Sequence, residues 1–204
     1  MDPVLLWAFI GTTLIFTSLP GPSVALASAQ AVRFGKRAAF VTVAGDALGT
    51  VVHIVIATLG LRALIGLSDA ILPLLQIAGG AYILWLSLQS LRSRAGDVAH
   101  PAERATFWTG FFACVTNPKA IAFFVALFPG FISPEHSVAV QAFVYGAIFL
   151  VLDAVSIVAY ALVAEVTFRR TLRRWLRVEV LSGLGLAGVG AAMVLKGWRE
   201  LPGR

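Results

Sequence analysis

The sequence predicts an all-α polytopic membrane protein of about six transmembrane helices. Two observations carry that prediction: 59% of the 204 residues are apolar and only 13% charged, and the apolar residues fall into long blocks separated by short basic segments. Soluble domains carry roughly a quarter charged residues and have no core able to hide this much apolar surface. A helix needs about 20 apolar residues to cross roughly 30 Å of hydrocarbon, so six crossings take about 120 residues and leave only loops. We therefore expect one transmembrane domain over 1–204, with no second domain.

The first block runs from Val4 to Ala31 and contains Leu19-Pro20-Gly21-Pro22. A signal peptide ending near Ala27-Ser28-Ala29 is the alternative, but only Asp2 precedes the run and signal peptides want a basic leader. Further blocks are Ala38 to Ile65, Ile71 to Leu91, Phe107 to Ile132, Val138 to Val163 and Leu181 to Gly197. The fourth is interrupted by Asn117-Pro118 and Pro129-Gly130, which leaves five spans as an alternative.

Loop charge favours six. Arg33, Lys36, Arg37, Arg92, Arg94, Arg104, Arg169, Arg170, Arg173, Arg174 and Arg177, 11 of the 16 basic residues, lie in alternate loops. Arg62, Lys196, Arg199 and Arg204 fall on the other side, and Lys119 lies inside a span. The bias places both termini outside the cytoplasm. The net charge of +6 is thereby assigned to orientation or anionic-lipid contact, with no nucleic-acid partner expected. Cys114 is the only cysteine, which excludes a disulfide within the chain and a thiol relay.

Laying Leu19-Pro20-Gly21-Pro22 over Val115-Thr116-Asn117-Pro118 gives a weak internal repeat, each motif followed by an aspartate in the next span, Asp46 and Asp153. Three spans per half would insert with opposite topology, giving inverted repeats over 1–95 and 105–204 with broken first and fourth helices. Proline in a span removes a backbone hydrogen bond, so Gly21-Pro22 and Asn117-Pro118 should open their helices toward protein or a wet cavity. The half-helix beyond each break would then aim its N-terminal amides at an anion. A simple packing kink is the bland alternative.

Asp46 and Asp153 lie about 12 and 15 Å inside their spans at roughly 1.5 Å per residue. A central aspartate costs roughly 2.5 to 3.5 kcal/mol to insert, so each should face a cavity or partner, as a proton-coupling carboxylate, a grip on a substrate ammonium, or a structural group at a helix break. His53, two turns after Asp46, shares its face and suits a proton relay or a packed neutral ring. Lys119 would pair with Asp153, contact a substrate carboxylate or snorkel to water. Gln76, Tyr82 and Gln141 are further polar handles. Gly45 with Gly49 and Gly183 with Ala187 are small-residue pairs that pack helices within or between chains, leaving a homo-oligomer open. No nucleophile and base constellation, phosphate loop or dinucleotide motif is visible, so no cofactor is expected. An intramembrane aspartyl enzyme using Asp46 and Asp153 is the rival class, but the Gly-x-Gly-Asp usual in such proteases is missing at Asp153.

Taken together, Leu19-Pro20-Gly21-Pro22, Gly35, Gly45-Asp46-Ala47-Leu48-Gly49, Gly79-Gly80-Ala81-Tyr82 with Leu84-Trp85-Leu86, and Asn117-Pro118-Lys119-Ala120 with Phe123-Phe124 resemble the LysE/RhtB family of bacterial exporters. The resemblance spans nearly the whole chain. It implies export of amino acids or close derivatives across a bacterial inner membrane, with both termini then on its periplasmic side, driven by proton antiport without nucleotide hydrolysis, with Pro22, Asp46, Asn117, Pro118 and Lys119 at motif positions. Metal-ion export, as in the wider superfamily, is the alternative within transport, although the histidine-rich or acidic loop such exporters often carry is absent.

Overall fold

The computed structural model describes residues 1–64, 71–92, 106–133, 135–167, 187–188 and 190–201. Helix α1 spans Pro3–Thr17; the Asp2 carboxylate caps it by accepting from the Val4 amide at 2.7 Å, with Pro3 opening the helix. The helix stops short of Pro20, which lacks an amide proton and disfavours helical backbone just before it. The chain resumes as α2, Pro22–Phe34, bent by 51° from α1. Gly35, at φ +82°, turns the chain directly into α3, Lys36–Leu64, a left-handed conformation that glycine adopts without a Cβ penalty.

Helix α4 covers Ile71–Arg92. The second broken helix follows: α5, Phe107–Val115, capped by the Thr106 hydroxyl, then α6, Pro118–Ala122, which continues through a π turn at Phe123–Leu127 and a 3-10 turn at Phe128–Phe131. This pair is bent by 46°. Helix α7 runs over Val138–Thr167, and residues 190–199 form α8.

The helices follow the apolar blocks closely, and among the described residues there is no strand. Lys36–Leu61 and Val138–Val166 are each long and apolar enough to cross a membrane; counting each bent pair as one span gives up to four by length and composition among the described residues. Residues 181–186 and 189 of the sixth block lie outside the described residues, as do Arg94, Arg104, Gly183 and the arginines from Arg169 to Arg177. Ala27 and Ser28, where a leader peptide would be cut, are buried within α2.

Helices distant in sequence pack against one another. Helix α3 packs along α5, and α2 packs along α7. A Cβ on Gly45 would stand 1.9 Å from the Phe107 carbonyl oxygen, and one on Gly110 2.0 Å from that of Thr42. The Gly45 and Gly49 pair therefore packs helices within the chain, by letting α5 ride directly on the α3 backbone. Below the breaks, Phe9, Phe16, Phe123, Phe124, Phe128 and Phe149 form one buried aromatic cluster with Tyr145, stacked on Phe9 at 4.6 Å. Apolar side chains point outward along the length of the molecule, Phe143 and Val166 more than three-quarters exposed, as expected for a surface solvated by lipid.

Candidate functional site

Both helix breaks lie between the two long helices, and each is closed by side chains from elsewhere. The carbonyls of Phe16, Thr17, Ser18 and Leu19 at the first break each find a side-chain donor. Lys119 donates its ammonium to the Phe16 carbonyl at 2.7 Å and also to Leu19; Ser156 donates to Thr17 at 2.6 Å and Tyr160 to Ser18 at 2.6 Å. The ammonium also sits 4.5 Å from the centre of the Phe16 ring. A cation at a helix C-terminus meets the negative end of the dipole, and unpaired buried carbonyls are costly, so this cluster holds the first break open in one geometry.

The second break is fixed likewise. Asn117 accepts from the Lys119 amide at 3.0 Å, capping α6, and donates its side-chain amide to the Ser23 hydroxyl at 3.3 Å. His53 Nε2 lies 3.1 Å from the Cys114 carbonyl oxygen; a carbonyl can only accept, so Nε2 carries the proton. The imidazole is stacked on Phe124, with centroids 5.5 Å apart and planes 5° apart. The amides opening α2 receive no side-chain cap, unlike those of α6.

The two aspartates meet here. Asp46 from α3 lies beside Asp153 of α7, Ser23 of α2 and Cys114 of α5. It is buried, and its Oδ1 has no hydrogen-bond partner. Such an orphaned acceptor is uncommon in a folded interior. Asp153 lines a cavity with Lys119, Gly21, Ser23, Thr50 and Asn117 among others, of about 30 Å³. That holds a water molecule and is too small for an amino acid. The geometry is thus that of a narrow chamber with a mixed polar and apolar lining, flanked by the aromatic cluster.

The structure brings Asp46, Asp153, Gly21, Pro22, Asn117, Pro118 and Lys119 together, with His53 one layer away against Cys114. Lys119 and Asp153 interact electrostatically, one of the roles expected of Lys119. Lys119 and Asp153 share the cavity wall, but the salt bridge found among the described residues joins Lys196 to Glu200. The ammonium faces the end of α1 because those carbonyls had lost their helical donors to Pro20 and Pro22. The remaining polar handles lie elsewhere. Gln141 ties down the loop before α7 through Ser133 and His136, Tyr82 stacks on Trp85 at the exposed surface, and Gln76 lines a different cavity.

Sequence reasoning missed Ser23, Cys114, Ser156 and Tyr160. Ser156 and Tyr160 follow Asp153 by three and seven residues, so the helical repeat places them on its face. Cys114 offered no such signal.

The family model described as LysE type translocator matches residues 14–197. A homoserine/homoserine lactone efflux protein of Salmonella typhimurium is 30% identical over 164 residues, covering 78% of this chain and 80% of its own length. A Vibrio cholerae protein named only as an uncharacterized membrane protein is 30% identical over 197 residues, 93% and 96% of the two chains. A cysteine/O-acetylserine efflux protein of Salmonella choleraesuis is 33% identical over 135 residues, covering 66% of this chain and 69% of its own. No solved structure matches the chain.

Proposed function

The chain belongs to the LysE type translocators, transport proteins rather than enzymes, and on that premise we propose that it exports small amino acids or close derivatives across the bacterial inner membrane in exchange for protons. The observation that carries the coupling is the buried Asp46 carboxyl, one oxygen unpartnered, beside Asp153 at the junction of both helix breaks. The relatives named for efflux of homoserine and of cysteine or O-acetylserine indicate the substrate class.

The chemistry runs through two adjoining groups of opposite charge at one chamber. The uncapped N-terminus of α2 receives the substrate carboxylate, and the aspartate pair receives its ammonium. A proton arriving from outside neutralises an aspartate, removes the attraction for the ammonium and releases the substrate, so each turnover exchanges one for the other. Because the chamber holds only about 30 Å³ here, loading requires the halves to part, pivoting where α3 meets α5 and α2 meets α7. Six spans in two inverted halves, 1–95 and 105–204, fit the order broken helix, long helix, shorter helix that occurs twice. Exposed tryptophans support the crossing: Trp7 and Trp198 mark the end holding the N-terminus, Trp85 and Trp108 the other, as in interfacial aromatic belts. The charge bias then sets the N-terminal end outward.

The test is efflux of labelled homoserine and cysteine from proteoliposomes, with and without an imposed pH gradient. Gradient-stimulated efflux that is lost in Asp46→Asn supports the reading. Efflux indifferent to the gradient and to Asp46→Asn would remove the coupling role, and no efflux of either substrate would remove the substrate class.

A further inference from the structure

A second cavity, of about 570 Å³, opens on the other flank of α1, between that helix, α4, the 3-10 turn and α8. Its walls are mostly apolar: Leu5, Ala8, Ile15, Leu127 and Met193. Two polar groups stand at one end. The Gln76 side chain is 3% exposed, and its Oε1 has no hydrogen-bond partner. The Lys196 ammonium donates to the Gly130 carbonyl at 3.1 Å and lies 3.9 Å from Glu200. Gly130 supplies the room between them, since a Cβ there would stand 3.0 Å from Gln76 Nε2 and 3.3 Å from Lys196 Nζ.

The geometry points to a second binding station for the transported solute: a site in which Gln76, Lys196 and the gap at Gly130 hold the ammonium and carboxylate of an α-amino acid whose side chain is uncharged. The orphaned Gln76 oxygen needs a donor, and a lysine ammonium with three N–H groups has a donor to spare. A zwitterion carries both complements on one carbon. Thr12 is the other polar side chain along the walls besides Gln76 and Lys196 among the described lining residues, so a second charge on the ligand would be left unpaired. The cavity lies at the end of the molecule where α1 begins and α8 finishes, so it serves the step after passage through the narrow chamber. The inference rests on the export reading for its ligand class, though not for its geometry.

The experiment uses full-length protein in two formats. Equilibrium binding of labelled homoserine to detergent-solubilised protein is compared with counterflow in proteoliposomes, for wild type, Lys196→Met, Gln76→Leu and Gly130→Ala. We expect each variant to raise the half-saturating homoserine concentration on the terminal face by about tenfold while the maximal rate stays within about twofold, and lysine to compete far more weakly than homoserine. Lys196 is half exposed, so its variant reports even if Gln76→Leu misfolds. Unchanged half-saturation in Lys196→Met and Gly130→Ala would overturn the inference. So would a Lys196→Met defect seen only in vesicles containing phosphatidylglycerol and absent in phosphatidylcholine, which would give the site to a lipid anion. Wild-type binding weakened by the variants but with no transport would keep the site and sink the export reading instead.

Discussion

Replacing Lys119 by methionine keeps the length and apolar stem of the side chain and removes the ammonium that closes the first helix break. Two carbonyls, of Phe16 and Leu19, lose that donor, and a buried acceptor without one costs about 1 to 3 kcal/mol. The cation over the Phe16 ring is lost as well, worth about 0.5 to 2 kcal/mol. Against this, the variant no longer has to hold a charge away from water, which returns part of the sum. A net loss of about 1 to 3 kcal/mol results, and at about 2 to 4 °C per kcal/mol for a chain of this size the midpoint should fall by about 2 to 12 °C. Cys114 provides the assay: it is the only cysteine and only 2% exposed, so a fluorogenic maleimide reports its release on heating. Because a Gly21 Cβ would stand 3.3 Å from Lys119 Cδ, Gly21→Val should displace the same side chain, and its effect should not add fully to that of Lys119→Met. A Lys119→Met protein melting with the wild type would refute the account of how the break is held.

Gly110→Ala should be far worse tolerated than Gly11→Ala, since the first places a Cβ 2.0 Å from the Thr42 carbonyl and the second meets nothing within 4 Å. Overpacking costs about 1 to 3 kcal/mol or more, which the same thiol assay would read as a lower midpoint for Gly110→Ala alone. His53→Leu should lower the midpoint by the equivalent of about 1 to 2 kcal/mol by stripping the Cys114 carbonyl of its imidazole partner, with His53→Gln recovering part; equal melting of His53→Leu and wild type would leave the ring as mere filling. Ser156→Ala and Tyr160→Phe should each cost about 0.5 to 1.5 kcal/mol through the carbonyls of Thr17 and Ser18, and a double variant no less stable than either single one would show that these carbonyls find water.

The breaks were legible because proline acts locally. Pro20, Pro22 and Pro118 forbid a continuous helix whatever surrounds them, and α1, α2, α5 and α6 end or begin within a few residues of them. Asp46 and Asp153 stood out because a carboxyl in an apolar run demands a partner, and the structure sets the two side by side. What closes the breaks was not legible. The orphan carbonyls of α1 are met from α6 and α7, more than 100 residues away in sequence, and spacing within one helix says nothing of which other helix faces it. For the same reason the sequence left Lys119 open between Asp153, a substrate carboxylate and water, and gave no sign of the backbone acceptors that its ammonium meets at the end of α1. The Gly45 and Gly49 pair marked a close approach without naming α5, since Gly110, its complement, belongs to a single-glycine stretch.

The central claim, that a carboxylate pair at the meeting of two broken helices exchanges protons for an amino acid, is tested most directly by proton movement itself. In proteoliposomes carrying an internal pH dye and no initial pH gradient, an outward homoserine gradient should drive protons inward and acidify the lumen. Asp46→Asn should abolish that signal. Homoserine flux without acidification in the wild type, or undiminished acidification in Asp46→Asn, would contradict the account.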